Sequence, residues 1–368
     1  MVRTALILAM SAFCIITSSC GQATKAPASD ALKPLFERAK KGDAEAQFKL
    51  GVMYDNGQGV RQDRAEAARW CRKAAEQGNA LAQLNLGFMY DKGQGVARDD
   101  AEAVRWYRKA AEQGNAGAQA NLGLMYLNGQ GVAQDYAEAA RRFRKAAEQG
   151  DAQSQFNLGL MYSKGKGVTQ DYAEAARWYR KAAEQGYAQA QINLGLSYAH
   201  GRGVTQDNAE AARWCRKAAE QGNAGAQIHL GIIYAKGEGV TQDYAEAVRW
   251  YRKAAEQGDV SAQYLLASEY RRGEGVTQDY AEAVRWYRKA AEQGDAESQF
   301  NLGIMYEFGR GVTQDYVQAH MWLNLAASRS VGDRRKNYAE ARDRLEEQMT
   351  SEQIAEAQRL AREWKPKK

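Results

Sequence analysis

The side chains that most often perform catalysis or bind metals are few in this chain, and they do not form a recognisable constellation. Its three histidines, His200, His229 and His320, stand at different positions in three different copies of a sequence repeat. No HExxH, CxxC or GxSxG pattern occurs, so the spacings that place zinc ligands, a redox pair or an activated serine on one element are missing. We therefore expect no catalytic residue, no metal site and no cofactor.

Glycine-rich turns are a second chemical possibility, because backbone amides in such turns can cradle a phosphate. A Gly-x-Gly turn such as Gly57-Gln58-Gly59 recurs in every copy of the repeat, whereas a nucleotide site is normally single. None of these turns carries the Lys-Ser/Thr ending of a Walker motif. The turns are explained by glycine's access to left-handed backbone conformations, and we predict no phosphate site there.

A recurring asparagine is the polar position that most favours ligand binding. It occurs five times in one column of the repeat, at Asn85, Asn121, Asn157, Asn193 and Asn301. Asparagine is a mediocre helix former, but its amide both donates and accepts, so it can pair with a peptide backbone of any sequence. The neighbouring column is mainly apolar and includes Phe48, Phe156, Ile192, Ile228, Tyr264 and Phe300. Two interpretations follow: these columns line a groove for an extended peptide, or they join neighbouring repeats through hydrogen bonds and core packing.

Both columns belong to a 36-residue unit that is written eight times without a slip of register. Its Leu-Gly pair recurs at Leu50-Gly51, Leu86-Gly87, Leu122-Gly123, Leu158-Gly159, Leu194-Gly195, Leu230-Gly231, Leu266-Ala267 and Leu302-Gly303. A fixed period of this length is typical of solenoids, in which each repeat buries its apolar face only by stacking on the next.

Each repeat carries the signals of two helices. In the first copy, Asp43 is a typical N-cap and Gly57 a typical C-cap, which predicts a helix over residues 44–56. Asp63 and Glu66 form a capping-box pattern that opens a second helix over residues 64–77. Ala67, Trp70 and Ala74 lie on one side of that helix and predict its packing stripe. Cys71 and Cys215 stand where four of the other six copies have Tyr, and we interpret both as packing residues.

The two ends of the chain differ from the repeats. Arg3, an apolar run from Ala5 to Ile16 and small residues up to Cys20 are typical of a secretory signal. We predict a signal peptide over residues 1–19, lipidation at Cys20 with ordinary signal cleavage as the alternative, and a tether over residues 20–29. Residues 30–41 align with half a repeat and predict an N-terminal cap, residues 42–329 hold the eight repeats, and residues 330–368 form C-terminal capping helices with a solvated basic tail.

The pattern LGxMYxxGxGVxxDxAEAxRWxRKAAEQG resembles the Sel-one-like repeat, a relative of the tetratricopeptide repeat, over all eight copies. The resemblance implies an all-α fold, a right-handed α/α superhelix of helix-turn-helix repeats that serves as an adaptor or binding surface. It also implies an exported bacterial protein. A cysteine-rich bacterial subgroup interacts with β-lactams, but it has paired cysteines inside its repeats and this chain has none.

The sequence therefore predicts a non-enzymatic scaffold, in the outer membrane as a lipoprotein or periplasmic or secreted, whose partner is another protein or an extended peptide. The alternatives are a β-lactam-interacting hydrolase and a structural protein that binds cell-wall glycan. A net charge of +6 spread over the repeats does not predict nucleic-acid binding. We expect a monomer that meets the membrane only through its N-terminal lipid.

Overall fold

The computed structural model describes residues 32–367, and over this range it contains 19 helices and no strand. The chain divides into two compact units, of which the first ends at Tyr187 and the second begins at Ala188. The predicted all-α, solenoid-like fold is confirmed. None of the helices in the described range is long and apolar enough to cross a bilayer.

In the first unit each repeat pairs an A helix with a B helix, and all eight of these helices are 13 residues long. Helix α1 precedes them. The helices of this unit are α1 (Lys33–Lys40), α2 (Ala44–Asn56), α3 (Arg64–Glu76), α4 (Ala80–Lys92), α5 (Asp100–Glu112), α6 (Ala116–Asn128), α7 (Tyr136–Glu148), α8 (Ala152–Lys164) and α9 (Tyr172–Glu184).

The second unit repeats the A and B pairing four more times and ends in two additional helices. Its helices are α10 (Ala188–His200), α11 (Asn208–Glu220), α12 (Ala224–Lys236), α13 (Tyr244–Glu256), α14 (Val260–Arg272), α15 (Tyr280–Glu292), α16 (Ala296–Phe308), α17 (Tyr316–Arg329), α18 (Gly332–Glu346) and α19 (Ser351–Glu363). In this unit too, even numbers from α10 to α16 are A helices and odd numbers from α11 to α17 are B helices.

Aspartate and glycine set the helix boundaries, as the sequence predicts. The Asp43 carboxylate accepts hydrogen bonds from the amides of Glu45 and Ala46 at the start of α2. Gly57 ends that helix in the left-handed region, at φ 70°, where a residue with a side chain would be strained. The boundaries predicted from the first repeat, 44–56 and 64–77, agree with α2 and with α3 plus its C-cap Gln77.

The predicted capping box at the B helices is only half correct. Asp99 accepts from the amides of Ala101 and Glu102, but Glu102 does not bind back to the N-cap backbone. Its carboxylate instead accepts from the indole of Trp106 at 3.1 Å and from Arg105 at 2.9 Å. Because these two donors lie one helical turn onward, they compete successfully for the carboxylate. A complete capping box forms only at Thr350 and Gln353 within residues 32–367.

The Leu-Gly pair permits the close crossing of the A helix with its B helix in every repeat but the seventh, which has Ala267 in place of the glycine. A Cβ atom on Gly87 would lie 2.7 Å from the ring of Tyr107, which is buried. Leu86 beside it is fully buried. Cys71 and Cys215 occupy the position of Tyr107 in their own repeats and are buried, so the interpretation of both as packing residues agrees with the structure.

Buried glutamines join neighbouring repeats. The Gln83 amide donates to the Ala75 carbonyl of the preceding B helix at 3.0 Å, and its oxygen accepts from Gln113 of its own repeat at 2.8 Å. The donation to the preceding B helix recurs at Gln47, Gln119, Gln155, Gln227, Gln263 and Gln299. One side chain therefore satisfies a helix-terminal carbonyl and links three helices.

The chain's own ends cover the terminal repeats. Helix α1 places Ala39 against Ala46 and Leu50 of α2. At the other end, Trp364 packs edge-on against Trp322 with ring centroids 6.2 Å apart. The basic tail is not simply solvated, because the Lys367 amide donates to the Glu292 carbonyl at 2.8 Å. The Lys367 ammonium also pairs with the Glu292 carboxylate at 2.9 Å.

Replacing Gln113 by Ala should loosen α4, because it leaves the buried Gln83 oxygen without a donor. We expect a loss of about 1 kcal/mol, seen as roughly fivefold faster hydrogen exchange of the α4 amides. Gln149→Ala is the matched control. Gln149 has the same place in its repeat but does not reach Gln119, whose oxygen is buried and unpaired. Equal effects of the two substitutions on α4 and α6 would contradict the role given to the glutamine pair.

Candidate functional site

The candidate groove residues of the first unit lie on its A helices. Asn85, Asn121 and Asn157 follow one another on α4, α6 and α8, and all three are half-buried. Asn121 lies close to the Tyr107 hydroxyl without a hydrogen bond of normal geometry. Asn85 and Asn157 have no side-chain hydrogen bond to any residue of the described chain. The side-chain amides of Asn85 and Asn157 therefore remain available to a ligand.

The apolar column beside the asparagines lies deeper than a groove lining would. Phe156 is 9% exposed and Ile192 6% exposed, and the Phe156 ring contacts Tyr187 with centroids 5.2 Å apart. Phe48 packs against Ala74, Ala75 and Leu86 of the following helices. For these positions the structure agrees with the alternative interpretation, in which the column belongs to the core between repeats.

A row one turn further along each A helix, whose residues also vary from repeat to repeat, is the more accessible apolar surface. Its members in the first unit are Val52, Phe88, Leu124 and Leu160, none of which is buried. Phe88 is 39% exposed, and Leu81 on the same face of α4 is 50% exposed. In sequence this row looks much like the deeper one, because both hold mainly large aliphatic and aromatic residues. Exposed apolar side chains on one helix face are typical of an interaction surface.

In the second unit the residue types on the same face of the A helices differ from repeat to repeat. Asn193 on α10 is half-buried, whereas α12 has His229 in its place. Burial lowers the pKa of His229 and the neighbouring His200 lowers it further, so the imidazole of His229 is neutral at pH 7. Ile228 and Tyr264, on α12 and α14, are half-buried and pack against the core of this unit.

The last repeat does not offer its candidate residues to a ligand. Phe300 is stacked against Tyr338 of α18, with ring centroids 4.4 Å apart and an interplanar angle of 17°. The Asn301 amide donates to the Glu297 carbonyl of its own helix at 2.8 Å. Arg334 of α18 also pairs with Glu297 at 3.4 Å. Helix α18 thus covers this end of the face, a contact that the sequence did not reveal.

The tryptophans are packing residues with little open ring surface. Trp106, Trp178, Trp214 and Trp286 are each at most 5% exposed. The lysine three residues onward lies over the ring, for example Lys109 over Trp106 at 4.5 Å and Lys289 over Trp286 at 4.1 Å. A sugar ring that stacks on tryptophan needs a free aromatic face, so these residues do not form a glycan platform.

Catalytic groups are not brought together by the fold. No set of three His, Cys, Asp or Glu side chains converges as metal ligands in the part of the chain that the structure covers. Burial raises the pKa of the Cys71 thiol to about 12 and that of Cys215 to about 11, which keeps both thiols protonated and unreactive. Cys20 and the predicted signal peptide lie outside residues 32–367.

Glu269 is a buried carboxyl group that sequence reasoning did not single out. It stands on α14 at a position where most repeats have Met or Ile, it is buried, and its Oε2 has no hydrogen-bond partner. Burial, with a smaller contribution from the nearby Glu274, raises the pKa of this carboxyl to about 7. The signal in the sequence was a single charge in a column that otherwise holds only Met, Ile or Ser.

Comparison with known families assigns the repeat. The Sel1 (Sel-one-like) repeat model matches eight consecutive segments, residues 44–79, 80–115, 116–151, 152–187, 188–223, 224–259, 260–295 and 296–331. The matched segments begin at residue 44, whereas the predicted repeats begin at residue 42. The difference has no structural meaning, because the starting point chosen within a tandem repeat is arbitrary. Comparison with curated proteins finds no match.

Two solved structures are similar over most of the chain. A Sel1 repeat protein from Oxalobacter formigenes is 37% identical, with a TM-score of 0.66 over 84% of this chain and 90% of that one. A protective antigen present in uropathogenic Escherichia coli strains, which displays an SLR fold, is 35% identical. Its TM-score is 0.64 over 91% of this chain and 86% of that one.

Glu269 gives the second unit a predictable pH dependence. Its pKa is about 7 in the folded protein, against 4.5 for a glutamate in the unfolded chain, so the folded state keeps a proton that the unfolded chain releases between these pH values. Stability therefore falls as the pH rises through this window. Glu269→Gln cannot ionise, and we expect it to be more stable than the parent by about 1–2 kcal/mol at pH 8 and equal to it near pH 4.

The measurement is thermal or urea unfolding of both proteins at pH 4, 6 and 8. Glu256→Gln is the control, because Glu256 is exposed on the neighbouring B helix of the same unit. A stability difference that is the same at all three pH values would show that Glu269 does not carry the buried charge.

Proposed function

The chain belongs to the Sel1 repeat family, and from this premise we propose that it binds an extended segment of a partner protein along the A helices of its first unit. Sel1 repeat proteins generally act as protein-interaction scaffolds. The finer statement, that the ligand is an extended peptide held by asparagine amides, is our proposal.

The free amides of the first unit are the observation that carries the proposal. The side chains of Asn85 and Asn157 make no hydrogen bond within the described chain, while glutamines bond to the preceding B helix. An amide in this position can donate to a peptide carbonyl and accept from a peptide N–H. The adjacent row that contains Phe88 and Leu124 would receive apolar side chains of the same segment. Backbone pairing with apolar contacts beside it is a recurrent mode of peptide recognition.

Export to the bacterial envelope is the second part of the proposal. It is supported by the signal-like residues before Cys20 and by the protective antigen among the similar structures. We propose that the mature protein is monomeric and that a lipid on Cys20 holds it at the outer membrane. Mass spectrometry of the protein from its native envelope would detect a diacylglyceryl group on an N-terminal Cys20, and an unmodified N-terminus would refute the anchor.

The competing functions have less support. A β-lactam hydrolase needs a reactive nucleophile, and the two described thiols are buried with raised pKa values. A glycan-binding role needs open aromatic faces, and most of the tryptophan rings are buried and covered by lysine. Members of this family are typically non-catalytic. Reaction with a chromogenic β-lactam and binding to purified peptidoglycan test these two alternatives directly.

The test of the peptide proposal is a comparative pull-down with the full chain as bait. The variant Asn85→Ala, Asn121→Ala, Asn157→Ala should capture the partner at least about tenfold less well, since each lost hydrogen bond contributes roughly 0.5–1.5 kcal/mol. The control is Glu112→Ala, Glu148→Ala, Glu184→Ala, three exposed residues on the B helices of the same repeats. It should capture the partner as the parent does.

Circular dichroism must first show equal helix content for the three proteins. If the asparagine variant unfolds, the asparagines are structural and the alternative interpretation is correct. If it folds and still captures the same partner, the binding surface lies elsewhere on the chain.

A further inference from the structure

The C-terminal cap of the second unit contains a polar cavity that differs from the rest of the molecule. Its volume is about 410 Å³, and it lies among α17, α18 and α19. Every lining residue is polar: His320, Asn324, Arg342, Glu346, Gln358 and Arg362. In the seven preceding repeats the position of His320 holds only Ala or Val, as at Ala68, Val104, Ala140, Ala176, Ala212, Val248 and Val284. The polarity is therefore specific to this end of the chain.

Some of the lining groups are already engaged by the protein. The His320 Nε2 and the Glu346 Oε1 form a hydrogen bond of 2.6 Å, which orients both side chains. Arg342 donates from Nη1 to the Asn324 oxygen at 3.1 Å and from Nε to Asp343 at 2.9 Å. These bonds fix one wall of the cavity, and the charge of Arg342 is balanced by Asp343.

Other lining groups have no partner, and this distinguishes the cavity from a closed structural network. Arg362 makes no ion pair or hydrogen bond within residues 32–367, although Arg359 on the same helix is held by both Glu356 and Glu363. His320 is fully buried, and its Nδ1 has no hydrogen-bond partner. An unpartnered buried nitrogen is costly, and it lies on a side chain that lines the cavity.

We propose that this cavity binds a carboxylate that carries an N–H donor on the adjacent carbon. The carboxylate would pair with the Arg362 guanidinium, whose planar donors suit a carboxylate, and with the Gln358 amide. The N–H would donate to the second oxygen of Glu346, which His320 leaves free. The volume falls in the range of about 300–1,000 Å³ that is typical of small-ligand pockets. Two kinds of ligand carry a carboxylate next to an N–H group: a free amino acid and the C-terminal residue of a peptide.

The proposal is independent of the groove on the first unit, and the test uses three small probes with the full chain. They are N-acetyl-Ala-Ala with a free carboxylate, the same dipeptide with an amidated C-terminus, and alanine. Binding is followed by chemical-shift changes of the Arg and Gln side chains and by calorimetry. We expect the free-acid dipeptide to bind at least about tenfold more tightly than its amide, because a charge-assisted pair is lost. Tighter binding of alanine would identify the free amino acid as the source.

Arg362→Gln supplies the decisive variant, because Arg362 is exposed at the end of α19 and its replacement leaves the cap contacts in place. It should weaken binding of the free acid about tenfold or more. Arg359→Gln, one turn earlier on the same helix and outside the cavity, should not change it. Equal binding of the free acid and its amide, unchanged binding to the Arg362 variant, or no binding of any probe would each overturn the proposal.

Discussion

The close crossing of the A and B helices within a repeat is the contact on which the other interactions depend. At Gly87 a Cβ atom would lie 2.7 Å from the Tyr107 ring, so only a residue without a side chain allows this distance. Because the crossing is the same in nearly every repeat, the faces of each helix are fixed relative to the next repeat. Bonds between repeats, such as Arg252 to the Tyr270 hydroxyl at 2.6 Å, can then recur at one sequence spacing.

The glutamine and asparagine side chains of the A helices have different roles. The glutamines reach the carbonyl of the preceding B helix, for example Gln155 to Ala147 at 3.0 Å. Their extra methylene group lets them span the gap while the residue itself stays buried. The asparagines are shorter and half-buried, and the side chains of Asn85 and Asn157 make no hydrogen bond in the described chain. The inter-repeat hydrogen bonds that one interpretation of the sequence assigned to asparagine are therefore made by glutamine.

The helix boundaries could be predicted from sequence because each depends on one or two residues, such as Asp43 and Gly57, with strong local preferences. The depth at which each side chain packs could not be predicted from sequence. A column that varies, such as that of Phe156, shows only that the repeats differ there, and burial depends on how large the facing residue is. The role of Glu102 was missed for a similar reason, because Trp106 and the N-cap backbone both lie within its reach. Contacts of the cap, such as Tyr338 with Phe300, join non-repeating segments and leave no periodic signal.

Departures from the repeat carry more information than the repeat itself. An internal repeat satisfies its own polar groups and covers its neighbour, so its consensus residues are explained by stacking. The last B helix has no following repeat and is covered instead by α18 and α19, whose side chains do not reproduce an A helix. Where the replacement is apolar, as with Trp364 against Trp322, it continues the core. Where the covering residues are polar, as around His320 and Arg362, some of their hydrogen-bonding groups have no partner and contribute nothing to the stacking of helices. Such groups indicate where a ligand could bind.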